Sequence, residues 1–269
     1  MIIVAMFGTK PRKVERLDFI VAGAQKSGTT ALHYFLSKHP EIALPDKQEL
    51  HFFDDEEHFA GGANYNALHG SFHLKRRWSI AGECTPIYVY WKPAIERIWK
   101  YDPKIKLLVL LRNPIERAFA HWNMQRFKGR EPLDFLEAVK EEKNRMQEAL
   151  PLQLRRFSYV DRGFYSEQLA RLFKFFPREQ IKIIKSEEFR DKNRAMLDSI
   201  FRFLGVRPLV GRRNKDRNVV PYERAITPEE RKYLYAIFAD DIAKLERMLG
   251  WDCSDWKGRG GSPEPPASD

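Results

Sequence analysis

One stretch constrains this chain more than any other. An apolar run, Phe19-Ile-Val-Ala22, leads straight into Gly23-Ala-Gln-Lys-Ser-Gly28 and then into residues with helical spacing. A strand turning sharply through two glycines into a helix is a βα unit of the kind that grips anions. Gly23 and Gly28 let the backbone bend and approach a ligand, and Lys26 brings a point charge. Ser27, Thr29 and Thr30 add hydroxyl donors where a helix N-terminus presents unpaired N–H groups and the positive end of its dipole. A phosphorylated ligand is expected there. A standard ATP loop, Gly-x-x-x-x-Gly-Lys-Ser/Thr, carries its lysine after the second glycine. Here Lys26 precedes Gly28, so the turn is a variant phosphate loop. The plainer alternative is a strand-turn-helix whose glycines only make the turn, and the rest of the chain has to decide.

Strand patterns alternate with amphipathic helices, which implies a parallel sheet covered on both faces. Asp18–Ala22 is the first strand, and the helix after it would bury Ala31, Leu32, Phe35 and Leu36. Leu107–Leu111 is a continuous apolar strand of the doubly buried kind. It ends at Arg112, and Asn113-Pro114 reads as an N-cap and first-turn proline. Ile181–Ile184 is a third strand, entered from a helix over Phe164–Phe176. The next helix puts Met196, Leu197, Ile200, Phe201 and Leu204 on one face and stops at Gly205. A long last helix starts at the capping box Thr227-Pro-Glu-Glu230, carries a stripe from Leu234 to Leu249, and ends at Gly250. The expected fold is a single α/β domain over residues 1–256, with a central parallel sheet flanked by helices and a P-loop-like turn. Residues 257–269, rich in Gly, Pro and Ser, are expected to be a disordered tail.

Bulk properties narrow the function classes. The longest apolar runs are too short to cross a bilayer, and no secretion signal is recognised at the N-terminus. The two cysteines, Cys84 and Cys253, have neither metal-ligand spacing nor a disulfide framework. A cytoplasmic protein without a metal or a membrane partner is expected. The net charge of +10 implies attraction to polyanions. No zinc-finger spacing, RNP-like strand or compact basic-aromatic patch accompanies it, so a nucleic-acid partner is not expected. A pocket for a multiply phosphorylated ligand accounts for part of the excess.

In open α/β sheets, ligands sit at the carboxyl ends of the strands, where both Lys26 and Arg112 fall. Two such cations could bracket one ligand with two separate phosphates. Between them lies Lys47-Gln-Glu49-Leu-His51-Phe-Phe-Asp54. Half-buried near the phosphates, Glu49 or His51 could serve as a general base, because burial raises a carboxylate's pKa toward working pH.

Together these segments resemble the PAPS-dependent sulfotransferases, most closely the branch of the heparan sulfate sulfotransferases and their bacterial relatives, from about Phe19 to Trp256. Gly23-Ala-Gln-Lys-Ser-Gly-Thr-Thr30 is similar to that family's 5′-phosphosulfate loop, and Glu49-Leu-His-Phe-Phe-Asp54 to the segment with its catalytic glutamate. Gly82-Glu-Cys-Thr-Pro-Ile-Tyr88 resembles a stretch bordering the acceptor cleft, Leu111-Arg-Asn-Pro-Ile-Glu-Arg-Ala118 the 3′-phosphate motif, and Gly163-Phe-Tyr165 the usual Gly-x-Tyr helix start.

The resemblance implies that Lys26 stabilises charge on the leaving phosphate while Ser27 restrains the lysine. It implies that Gly28, Thr29 and Thr30 hold the 5′-phosphate, that Arg112 holds the 3′-phosphate, and that Gln25 and Tyr165 belong to the cofactor site. Glu49 takes the proton of the attacking hydroxyl or amine, with His51 as a second candidate. The family's serine eight residues after the arginine is Ala120 here. Lys215, Arg217 and Asn218, in a basic loop resembling the family's late cofactor-covering loop, are candidate helpers. The lysine found in some members beside Glu83 is Cys84, and the one that precedes the glutamate is Gln48. The implied activity is sulfuryl transfer from PAPS, without a metal, to a carbohydrate or other small-molecule acceptor. A small-molecule kinase using magnesium-ATP, or a non-catalytic module binding PAP or anionic glycans, is the alternative.

Overall fold

Strand β1 (Phe19–Gly23) is buried along its whole length and forms the middle of the sheet. The structure is a computed structural model that describes residues 13–72, 78–209 and 221–257. In chain order β1 is followed by α1 (Thr29–Ser37), β2 (Ile42–Ala43), α2 (Asn66–Gly70), β3 (Ile80–Cys84), α3 (Lys92–Tyr101) and β4 (Lys106–Leu111). Then come α4 (Pro114–Phe127), α5 (Phe135–Glu148), α6 (Tyr165–Phe175), β5 (Ile181–Lys185), α7 (Ser186–Asp191), α8 (Asn193–Leu204) and α9 (Pro228–Leu249). The sheet order is β2-β3-β1-β4-β5, and every neighbouring pair is parallel.

Successive side chains on a strand point to opposite faces, and the sheet separates two apolar layers on that rule. Phe19, Val21, Leu108, Leu110 and Ile184 join Leu32, Leu36, Ile200 and Phe201 of α1 and α8. Ile20, Ala22, Leu107, Val109 and Leu111 join the layer of α3, α4, α6 and α9, including Ile98, Leu169, Leu172 and Phe238. Burial on both faces is why these strands read as unbroken apolar runs.

The helix ends follow the expected chemistry. Asn113 accepts the Ile115 N–H at 3.0 Å. Thr227 and Glu230 exchange both bonds of a capping box, and α8 closes on left-handed Gly205. Of the expected apolar faces, Ala31, Phe173, Met196, Ile237 and Leu249 are only partly buried, and the α6 helix begins at Tyr165 rather than Phe164. Its first N–H is accepted by Asp241 of α9 at 2.8 Å, so the two helices fix each other at the buried Tyr165. Strands β2 and β3 and helices α2, α3, α5 and α7 are not among the elements expected from sequence. The proposed tail residues 258–269 lie outside the described residues.

Candidate active site

The carboxyl ends of β1, β3, β4 and β5 open onto one cavity of about 920 Å³. After β1 the chain turns through Lys26, held at φ 68°, and Gly28, held at φ 92°. The second value lies in the region that favours glycine, and Gly28 is the residue from which α1 departs without any side-chain cap. The first-turn N–H groups of α1 therefore remain available to an anion. Gly23 serves a different need, because a Cβ there would lie 2.2 Å from Val89 Cγ1.

Gln25, Lys26, Gly28, Thr29, Thr30 and Arg112 all line the cavity, as do Glu49 and His51. Two other expected site residues do not. Ser27 is fully buried, and its carbonyl accepts the Ser186 hydroxyl at 2.9 Å. Tyr165 is likewise buried and gives its phenolic hydrogen bond to the Arg112 carbonyl at 2.9 Å. Its geometry is that of a brace for the end of β4. Lys215, Arg217 and Asn218 lie outside the described residues.

Lys26 is pushed down to about 8, first by burial and then by the charges of Arg112 and Lys128, against the opposing pull of Glu49. Arg112 reaches the Lys26 carbonyl at 3.5 Å and lies 3.8 Å from Glu116. Glu116 is itself held by Arg231 at 2.6 Å. Arg112 thus leans on the loop and lines the cavity. Ala120 also lines the wall, at the position where the family's serine was expected.

Glu49 and His51 both sit at left-handed φ, 61° and 59°. The His51 ring lies between two carboxylates, with Nδ1 3.0 Å from Asp54 Oδ2 and Nε2 3.5 Å from Glu49 Oε2. The hydrogen bonds to Asp54 and then to Glu49 raise it to about 9. Held between carboxylates on both sides, the ring keeps its proton more firmly than an ordinary imidazole.

Other residues of the site were not foreseen individually from sequence. Arg155 bonds the carboxylate and the carbonyl of Asp54. Arg162, almost wholly buried, donates to Gln25 Oε1 at 2.6 Å, to Ser158 Oγ at 2.7 Å and to the Arg155 carbonyl. His121 is buried in the cavity wall, and burial together with Arg162, Arg117 and Lys26 holds it well below the usual imidazole range. The excess of arginine between Arg126 and Arg162 was the available signal. Among the lining residues eight lysines and arginines face two glutamates, a charge balance that selects a polyanion. Among the described residues no group of His, Cys, Asp and Glu is arranged to hold a metal ion. Cys84 does not line the cavity; it belongs to the apolar layer with Phe19 and Leu32.

A family model for the sulfotransferase domain matches residues 16–219. The chain belongs to the sulfotransferase domain family. A solved sulfotransferase structure from Alicyclobacillus acidocaldarius is 30% identical, has a TM-score of 0.77, and is covered completely by 91% of this chain. The membrane-associated sulfotransferase kil1 of Dictyostelium discoideum is 25% identical over 87% of this chain and 65% of its own length. The heparan sulfate glucosamine 3-O-sulfotransferase 5 of Mus musculus is 29% identical over 72% of this chain and 55% of its own length. The chain therefore spans less than two thirds of these two curated relatives. No helix among the described residues is long and apolar enough to cross a membrane. The sulfotransferase domain has the expected architecture, a five-stranded parallel sheet between helical layers, and its donor set fits a nucleotide with two separated phosphate groups.

Proposed function

We propose that this chain transfers a sulfuryl group from PAPS to a hydroxyl or amine of a carbohydrate or other small acceptor. The observation that carries the reading is the shared cavity of Lys26, the open N-terminus of α1, Arg112 and Glu49. Lys26, Thr29 and Thr30 hold the 5′-phosphosulfate end, and Arg112 holds the 3′-phosphate. Glu49 accepts the proton as the acceptor oxygen or nitrogen bonds to sulfur, and the bond from sulfur to the bridging phosphate oxygen breaks. The negative charge left on PAP is met by Lys26. Positioning and neutralisation of charge on non-bridging oxygens supply most of the catalysis in such transfers.

A carbohydrate acceptor is supported by the likeness to a heparan sulfate sulfotransferase and by Arg130, Arg155 and Arg156 on the cavity wall, which suit an acidic sugar. A reducing, cytoplasmic setting goes with two buried free cysteines, and cell fractionation tests it. Radiolabelled PAPS incubated with the chain and heparan sulfate, unsulfated heparosan or a phenol tests the activity. Label moving to a saccharide supports the reading, label moving only to the phenol corrects the acceptor, and no transfer to any of them contradicts it.

A further inference from the structure

We propose that Glu83 and Thr85, neither of which lines the cavity, are positioning residues for Glu49. Thr85 accepts the His51 N–H of the left-handed loop that carries Glu49, and Glu83 takes the Thr85 hydroxyl proton and so turns the Thr85 lone pairs toward that N–H. The proposal rests on the reading of Glu49 as the base of sulfuryl transfer.

Two non-glycine residues at positive φ within three positions, Glu49 and His51, make a backbone that persists only where its surroundings over-determine it. The surroundings are two hydroxyls just beyond β3. His51 N–H donates to Thr85 Oγ1 at 3.4 Å, Phe52 N–H to the Tyr88 hydroxyl at 3.1 Å and Phe53 N–H to the same oxygen at 3.4 Å. Three successive amides of the loop thus end on one segment of chain.

A threonine hydroxyl has a single proton, and Thr85 gives it to Glu83 Oε2 at 2.8 Å. That choice turns its lone pairs toward His51. The Thr85 N–H is accepted by the Val21 carbonyl at 3.2 Å, so the segment that holds the base is also tied to the strand that delivers Lys26. The two reacting sides of the cavity share one anchor.

Glu83 is fully buried, and burial raises its carboxyl to about 8. Oε1 has no hydrogen-bond partner among the described residues, while Oε2 accepts from Thr85. An apolar side chain would fill the middle of a parallel strand at less cost than a buried carboxyl. The acid's use is to orient Thr85.

The test uses the full chain with Thr85→Val, which keeps the shape and deletes the hydroxyl, and Thr85→Ser, which restores it. Hydrogen exchange followed by mass spectrometry should show residues 51–53 exchanging about tenfold faster in Thr85→Val, the effect of one net hydrogen bond, with β1 and β4 unchanged. With heparan sulfate as acceptor, kcat should fall by a similar factor while KM for PAPS and the affinity for PAP stay constant, and Thr85→Ser should restore both readouts. Unaltered exchange at 51–53, or equal losses in PAP affinity and kcat, overturns the proposal. Full kcat in Thr85→Val beside an active wild type overturns it alone. A wild-type chain that transfers to no acceptor overturns the sulfotransferase reading, and this proposal with it.

Discussion

His51 Nε2 stands 3.5 Å from Glu49 Oε2, and the same ring is bonded on its other side to Asp54. An imidazole between two carboxylates keeps its proton, which is why His51 is raised from 6.5 to about 9. Below about pH 6.5 both folded and unfolded chains carry the proton, and the interaction contributes its full stability. The contribution is lost as pH rises toward 9. The difference in melting temperature between wild type and His51→Gln is therefore expected to be largest near pH 6 and to close by about pH 9.5. A difference that grows with pH contradicts a cationic His51. The side chain is partly exposed, so solvent screening keeps the effect small.

If the protonated ring orients Glu49 and Glu49 takes the acceptor's proton, the two residues differ in kinetic weight. Glu49→Gln should slow sulfuryl transfer by about 100-fold or more, the usual scale for a lost general base, without changing PAP affinity. His51→Gln should cost less, because the carboxylate remains. Single-turnover rates with labelled PAPS, beside calorimetric PAP binding, separate the two; equal rate losses would argue against the assignment.

Lys26 at about 8 in the free chain is partly neutral at mildly alkaline pH. An anion beside it reverses the effect of its cationic neighbours and raises its pKa, so binding takes up a proton. PAP binding at about pH 8.5, measured in buffers of different ionisation enthalpy, should show proton uptake that shrinks at about pH 7. Lys26→Ala should abolish the uptake. Identical uptake in that variant would remove Lys26 from the phosphate site.

Arg112 is assigned to the 3′-phosphate, which PAP has and AMP lacks. Replacing it by Ala should weaken PAP by roughly 10- to 100-fold, the range of one charge-assisted hydrogen-bonding group, and leave AMP nearly unchanged. Competition binding of both nucleotides to wild type and Arg112→Ala measures the difference. Equal losses for the two would overturn the assignment.

Local chemistry was legible in the sequence where one short segment contains the whole reason for its structure. The turn from Phe19 to Thr30 is one such segment, the Asn113-Pro114 helix start another, and the Thr227–Glu230 capping box a third. Strand β3 was not legible, because Gly82 and Glu83 interrupt its apolar run, and the buried Glu83 accepts from Thr85. Strand β2 is only two residues long. Long-range pairings were also hidden: Arg162 meets Gln25 across 137 positions, and Arg155 meets Asp54 across 101. No periodicity encodes such meetings. Tyr165 was expected at the cofactor, yet its hydroxyl is directed to the Arg112 backbone, a distinction that only the packing of α6 against the end of β4 makes.

The most direct test of the account is calorimetric binding of PAP, set against ATP with magnesium, to the purified chain. Two anion grips at Lys26 and Arg112 on one cavity predict tight PAP binding and weak ATP binding, with no need to know the acceptor. Preference for magnesium-ATP would contradict the central claim and make the Lys26 loop a kinase-type site.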